Sequence, residues 1–81
     1  MQINQEIEQQ RLYIGSRIAQ MRKQNNITQR QLAGQCHIQQ AHLARIEKGQ
    51  HSVGFDILTS IARQLGCTID LIPQQNSLTE Q

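Results

Sequence analysis

Four side chains between Cys36 and His51 carry donor atoms suited to metal binding or nucleophilic catalysis. They are Cys36, His37, His42 and His51. Thiolate and imidazole groups are the usual zinc ligands. His37 and His42 have the spacing of a zinc-finger histidine pair, but the sequence offers no C-x₂₋₄-C pair to complete the site. The chain also contains no nucleophile elbow, phosphate loop or paired carboxylates. We therefore expect no catalysis, no metal and no cofactor, and interpret Cys36 as an inert thiol on an apolar helix face.

Basic side chains are concentrated in the middle of the chain. All eight Lys and Arg residues lie between Arg11 and Arg63, and the only acids within that span are Glu47 and Asp56. The other four acidic residues flank it: Glu6, Glu8, Asp70 and Glu80. A basic centre suits a polyanionic partner, because phosphates dominate the affinity for nucleic acid. A solvated basic face without any partner explains the same charges, so charge alone leaves both interpretations open.

The basic span contains two short amphipathic helical segments between Thr28 and Gly49. Thr28-Gln29-Arg30-Gln31 fits a capping box, in which the Thr28 hydroxyl accepts the Gln31 N–H and the Gln31 side chain reaches back. Gly49 stands where a helix should stop. Apolar residues with helical spacing form the inner faces of the two segments: Leu32, Ala33, Cys36, Leu43 and Ile46. A second helix held across a first by a tight turn is the commonest device for entering the DNA major groove.

Apolar spacing elsewhere predicts three more helices. A short one, with Asn4 as its expected N-cap, runs from Asn4 to Gln10, and the next ends near Gln24. The last is closed by Gly66. Their apolar anchors are Ile3 and Ile7, then Ile14, Ile18 and Met21, then Ile57, Leu58, Ile61, Ala62 and Leu65. With 81 residues, one Pro and almost no aromatic residues, the chain is predicted to be a single all-α domain of about five helices.

The period changes after Gly66, where residues 67–72 alternate as in a β-strand that stops at Pro73. One short strand needs a partner, and the same strand of a second copy would give a two-fold homodimer. The predicted dimer residues are Thr68, Ile69, Asp70, Leu71 and Ile72. The alternative is an irregular segment packed on the core. Residues 74–81 are predicted to be a disordered tail, and residues 1–13 an N-terminal extension.

Cysteine usage and hydropathy predict a cytoplasmic setting. Cys36 and Cys67 do not make a disulfide framework. The sequence shows no apolar stretch of membrane-spanning length and no signal-peptide pattern. We therefore expect two reduced, buried thiols and no membrane partner.

The chain resembles the Cro/C1-type helix-turn-helix family of repressors over about residues 14–66. The matching residues are Ile14-Gly15, Arg22, Thr28-Gln29, Leu32-Ala33, Ile38, Leu43, Ile46-Glu47, Gly49, Leu58, Ile61-Ala62 and Leu65-Gly66. The resemblance implies a lambda-repressor-like bundle in a bacterial or phage-derived, nucleoid-associated protein. The strand-forming residues 67–73 further resemble a subgroup of antitoxins that dimerise through a C-terminal strand.

This resemblance implies a contact map on double-stranded DNA. The second motif helix begins near Gln39, and its exposed residues would meet base edges: Gln39, Gln40, Ala41, His42 and Arg45. Gln can bond adenine, Arg can bond guanine, and an alanine methyl can touch the thymine methyl. Phosphate contacts would come from Gln29, with Arg17, Arg30 and Lys48 as further candidates. An idle, solvated side chain is the alternative for each of them.

The resemblance also implies a structural ion pair and a strained turn. Arg22 and Glu47 match positions whose ion pair ties the first helix to the end of the recognition helix. Desolvation offsets much of the Coulomb gain in such a pair, so its expected role is orientation. The turn residue that is usually Gly is His37 here, and a left-handed backbone costs energy for a non-Gly residue. Gln39 is a poorer cap than the usual Ser or Thr.

Two function classes follow. In the first, a homodimer binds a palindromic operator, with two recognition helices about one DNA turn (~34 Å) apart, and represses transcription. In the second, the chain is an antitoxin that neutralises a toxin protein and autoregulates its operon. We expect no small-molecule sensor domain within these 81 residues.

Overall fold

The computed structural model describes residues 2–74, which form four α-helices and no β-strand. The helices are α1 (Gln2–Gln24), α2 (Gln29–Gln35), α3 (Gln40–Glu47) and α4 (Phe55–Gln64). α3 packs against both α1 and α2, and α4 packs against α2. Within the described residues, no helix is both long enough and apolar enough to span a bilayer. The predicted all-α class is confirmed, whereas the fifth helix and the strand are wrong.

The difference in helix number arises in α1, where the two predicted helices are one helix of 23 residues. Arg11, Leu12 and Tyr13 join the two halves, and none of them is a Gly or Pro that would interrupt the backbone hydrogen bonds. Asn4 lies inside α1 and is not its N-cap. The break between the two predicted helices was inferred from the sparse apolar anchors of the first one. A helix can nevertheless continue through such a stretch when no Gly or Pro interrupts it.

The core lies where α1, α2, α3 and α4 meet. Its buried members are Ile18, Leu32, Ala33, Cys36, Leu43, Ile46, Ile61 and Leu65. Every inner-face residue predicted for the two motif helices is among them. Cys36 is buried as a free thiol, as expected, but the free thiol of Cys67 is only half-buried.

All four helices end in the same way. The residue after each C-terminal turn has a left-handed backbone, with φ between 58° and 74°: Asn26, His37, Gly49 and Gly66. The next residue donates its N–H to a carbonyl five positions earlier, as in the 3.0 Å bond from Ile38 N to Ala33 O. This is the Schellman motif, in which an apolar residue after the left-handed position often returns to the helix. The predicted stops at Gly49 and Gly66 and the left-handed backbone of His37 are confirmed.

Residues 67–74 follow an irregular path instead of the predicted strand. Cys67 packs on the core, while Ile69, Leu71 and Ile72 are exposed. The Leu71 N–H bonds locally to the Asp70 carboxylate at 2.7 Å. A strand needs a neighbour for its backbone hydrogen bonds, and residues 2–74 of one copy supply none. The irregular alternative is therefore the one observed. Residues 75–81 of the predicted tail lie outside the described residues.

Candidate nucleic-acid interface

The first motif helix, α2, starts with the predicted capping box. The Thr28 hydroxyl accepts the Gln31 N–H at 3.0 Å, and the Gln31 side chain accepts the Thr28 N–H at 2.9 Å. Two backbone donors at the start of the helix are thereby satisfied. α2 therefore begins at a defined residue, and its buried Leu32 and Ala33 hold it against the core.

The second motif helix, α3, is held against the backbone of α1 at Gly15. A Cβ atom built on Gly15 would lie 2.7 Å from the Glu47 carbonyl oxygen and closer still to that of Ile46. Only a glycine lets two backbones approach this far without displacement. α1 thus crosses directly over the C-terminal end of α3. Gly15 belongs to the residues that carry the family resemblance, but its contact with α3 does not follow from their spacing.

Arg22 and Glu47 form a bidentate ion pair, and the backbone of Glu47 is also part of the contact with Gly15. Arg22 Nε donates to Glu47 Oε2 at 2.8 Å, and Nη2 donates to Oε1 at 3.1 Å. Arg22 Nη1 also donates to the Ile27 carbonyl at 2.9 Å. Both side chains are largely buried, with 11% and 4% of their surfaces exposed. The pair therefore connects the last turn of α1 and the α1–α2 turn to the last residue of α3.

Gln29 belongs to the same network. Its side-chain Nε2 donates to Glu47 Oε1 at 2.9 Å, and the residue is half-buried. Sequence reasoning expects this side chain to contact phosphate and misses its bond to Glu47. The two residues are 18 positions apart, so no local spacing rule could have found the contact. One amide hydrogen of Gln29 is committed within the protein, which leaves the rest of the amide for another partner.

The outer face of α3 carries most of the predicted base-contacting residues. Ala41, Arg45 and Lys48 are exposed and follow i, i+4, i+7 spacing, so they share the stripe opposite the buried Leu43 and Ile46. Gln39 and Gln40 are exposed at the N-terminal end. Gln39 occupies the N-cap with extended backbone, and within the described residues its side chain makes no cap hydrogen bond. Two glutamines, one alanine, one arginine and one lysine thus face outward together.

His42 is placed differently from the other predicted base contacts. It is half-buried, and its ring meets the His51 ring edge-to-face with 5.8 Å between centroids. His51 lies in the loop between α3 and α4. Among the described residues there is no group of three or more His, Cys, Asp or Glu side chains arranged to hold a metal. The His42 ring thus packs at the side of the α3 surface instead of at its centre.

The two remaining phosphate candidates lie on different sides of the domain. Arg30 is exposed in the first turn of α2. Arg17 lines the groove between α1 and α4, and its guanidinium donates to the Gln20 side chain at 2.6 Å. Gly15 and Arg22 of α1 contact α3, so Arg17 faces away from that helix. The structure therefore does not bring Arg17 together with the outer face of α3.

A family comparison agrees with this geometry. The helix-turn-helix family model HTH_3 matches residues 18–72, more than half of the chain. The chain belongs to this helix-turn-helix family. The match begins inside α1, so the N-terminal half of that helix lies outside it. The resemblance stated from the residues is thereby confirmed at the level of the family.

Two related proteins extend the comparison. The "Immunity repressor protein" of Bacillus phage phi105 is 29% identical over 68 residues, which cover 84% of this chain and 47% of that protein. The crystal structure of the clp gene regulator ClgR from Corynebacterium glutamicum superposes with a TM-score of 0.71 at 26% identity, covering 72% of this chain and 62% of that one. The chain thus spans about half to three-fifths of these relatives. One relative is named a repressor and the other a gene regulator.

Proposed function

We propose that this chain is a sequence-specific DNA-binding regulator of transcription that reads a palindromic operator as a homodimer. The observation that carries the proposal is the outer face of α3. This face is exposed, carries amide and guanidinium groups, and is held in a fixed orientation by the Arg22–Glu47–Gln29 network. The regulator names of the two relatives support the same function.

The proposed base contacts follow from side-chain chemistry. Gln40 bonds adenine through its amide, Arg45 bonds the two acceptors of guanine, and the Ala41 methyl packs on a thymine methyl. Gln39 reaches the groove from the N-cap. His42 makes a smaller contribution, because its ring is half-buried beside His51.

The proposed phosphate contacts surround this face. Lys48 continues the Ala41–Arg45 stripe, and Arg30 is exposed at the start of α2. Gln29 contributes with the amide atoms that its bond to Glu47 leaves available. Arg17 is the weakest candidate, because it faces the groove between α1 and α4.

The homodimer is proposed through the exposed apolar side chains of residues 68–72. Ile69, Leu71 and Ile72 are 43%, 93% and 81% exposed, and such a patch marks an interaction surface. Two copies would place their α3 helices about one DNA turn (~34 Å) apart. The resemblance to the antitoxin subgroup rests on the strand-forming residues 67–73, and residues 2–74 contain no strand.

Selection of bound sites from random double-stranded DNA tests the proposal. We expect an enriched site with two inverted half-sites, because a two-fold dimer presents the same surface twice. A matched selection uses Arg45→Ala, which should lose preference at one position of each half-site. The absence of any enriched site at moderate salt would contradict the proposal.

A further inference from the structure

The N-terminal half of α1 extends the domain beyond its core. Residues 3–10 are all exposed, whereas Leu12 lies against Gly49 and Gly15 lies against the end of α3. Yet the exposed half is not uniformly polar. Ile3 and Ile7 are 58% and 48% exposed. They lie on the same helical stripe as Ile14, Ile18 and Met21, because these positions all fall within about 60° at 100° per residue.

The core half of that stripe forms one wall of an open groove of about 430 Å³. Leu58 and Ile61 of α4 supply the opposite wall with Leu65, the C-cap of α4, and the exposed Ile69 and Ile72 also line the groove. The groove lining is mainly apolar. An apolar ridge, Ile3 and Ile7, and an apolar groove therefore lie next to each other on one continuous surface of the same chain.

We propose that the N-terminal half of α1 is a dimerisation arm that lies antiparallel across this groove in a second copy of the chain. The proposal rests on the homodimer of the proposed function and names a further part of its interface. A two-fold axis between residues 10 and 11 places each residue of one α1 opposite the residue of the other α1 that lies equally far on the other side of the axis. Ile7 then lies opposite Ile14 of the second copy, and Ile3 lies opposite its Ile18. Each ridge then covers the other copy's groove, as an isologous contact requires.

Charge favours a second copy as the occupant. The only charged residues in the first ten are the acids Glu6 and Glu8, whereas Arg17 is exposed on the groove wall. In the register above, Glu6 comes within one helical turn of the second copy's Arg17, on the same flank of the pair. Asp70 also lines the groove and would repel the two acidic side chains. The electrostatic attraction therefore depends on the contact between Glu6 and Arg17. Burial of the isoleucines supplies the main driving force.

Sedimentation equilibrium of the full chain without DNA tests the arm. We expect a dimer that the double substitution Ile3→Glu with Ile7→Glu weakens by at least about tenfold, because each buried isoleucine contributes more than that factor. Both side chains are exposed in one copy, so the helical fold should survive, as circular dichroism would show. The control is Gln5→Glu with Gln9→Glu, which adds the same charge on the opposite face of α1 and should leave the dimer unchanged.

A charge exchange provides an independent test. Glu6→Arg alone and Arg17→Glu alone should each weaken the dimer, and the two together should restore it, because the ion pair is reformed in reverse. A non-specific effect of charge would not be rescued by the second substitution. Rescue therefore reports the contact between Glu6 and Arg17 itself.

Two outcomes would overturn the arm. One is a wild-type chain that stays monomeric at every concentration. The other is a dimer that survives Ile3→Glu with Ile7→Glu but dissociates on Leu71→Ser with Ile72→Ser. The interface of the proposed homodimer would then consist of residues 68–72 without the arm. Operator recognition is tested separately by the DNA selection, so its failure is distinguishable from failure of the arm.

Discussion

At the scale of single residues, Arg22, Gln29 and Glu47 have the most consequence for the candidate interface. Glu47 is a carboxylate in the last turn of α3, where the helix dipole disfavours negative charge. Two guanidinium donors and one amide donor compensate it. Such buried charges are costly when one partner is removed. The orientation of α3 relative to α1 and α2 is therefore coupled to this one carboxylate.

A double-mutant cycle measures that coupling. Arg22→Leu should lower the free energy of unfolding by about 3–5 kcal/mol, because it leaves Glu47 buried without its charged partner. Arg22→Leu with Glu47→Leu should cost less than Arg22→Leu alone. Urea denaturation of the wild type, the single variants Arg22→Leu and Glu47→Leu, and the double variant gives the coupling energy. Additive losses would show that the pair does not act as a unit.

The left-handed backbone of His37 lowers the free energy of unfolding of the protein. Its φ of 59° is a conformation that costs an L-residue roughly 1–2 kcal/mol. His37→Gly should therefore raise the free energy of unfolding by about 1 kcal/mol, seen as a thermal midpoint several degrees higher. The control is Gln35→Gly, two positions earlier inside α2, which should destabilise by about 0.5–1 kcal/mol. A fall in stability with His37→Gly would mean that the imidazole contributes more than its backbone costs.

At the scale of the elements, the crossing of α1 over α3 decides where the α3 surface points. Gly15 lets the α1 backbone touch the backbone of Ile46 and Glu47, and the Glu47 side chain is paired with Arg22. The shared helix ends turn each following segment back toward the core. Short helices such as α2 and α3 are marginal on their own. Their placement therefore depends on these caps and crossings more than on helix propensity.

Gly15→Ala tests the crossing. The added methyl would meet backbone carbonyls, which cannot rotate away as a side chain does. We expect a loss of about 1–3 kcal/mol in the free energy of unfolding and weaker DNA binding. Gly34→Ala is the matched control, because no described atom lies within 4 Å of its added methyl. That control should stabilise the protein by about 0.5–1 kcal/mol through helix propensity.

At the scale of the whole molecule, different residues of α1 serve α3 and the groove: Gly15 and Arg22 contact α3, whereas Ile14, Ile18 and Met21 line the groove between α1 and α4. In the proposed function the outer face of α3 contacts DNA, and in the proposed dimer the groove contacts a second copy. Since the two surfaces use different residues, we expect no competition between DNA binding and dimerisation. Salt should separate them, since contacts with phosphate weaken with ionic strength and apolar contacts are far less sensitive to it.

The salt dependence of DNA binding gives the prediction at this scale. Lys48→Ala should weaken binding to all sequences similarly and reduce the slope of log K against log salt by about one, because one fewer phosphate is neutralised. Arg45→Ala should cost about 1–3 kcal/mol at one base position. Titrations of a selected site and a scrambled site at several salt concentrations separate the two effects. The same reduction of sequence preference in both variants would argue against these roles.

The sequence by itself determined the family, the two motif helices, the capping box at Thr28, the stops at Gly49 and Gly66 and the apolar faces. Each of these follows from short-range spacing or from local backbone chemistry, which is why residue type was enough. It did not by itself lead to the prediction of one continuous α1, although Ile3 and Ile7 share one helical stripe with Ile14, Ile18 and Met21. Nor did it predict the irregular path after Gly66, since strand formation depends on a neighbour.

Tertiary structure alone decided the contacts between residues distant in the chain. The bond of Gln29 to Glu47, the backbone crossing at Gly15 and the placement of Arg17 in the groove all depend on how helices pack. The Arg22–Glu47 pair was expected only through the family resemblance and not from spacing. The physical reason is that spacing rules reach about one helical turn. The orientation of α3 depends on contacts between residues 18 to 32 positions apart.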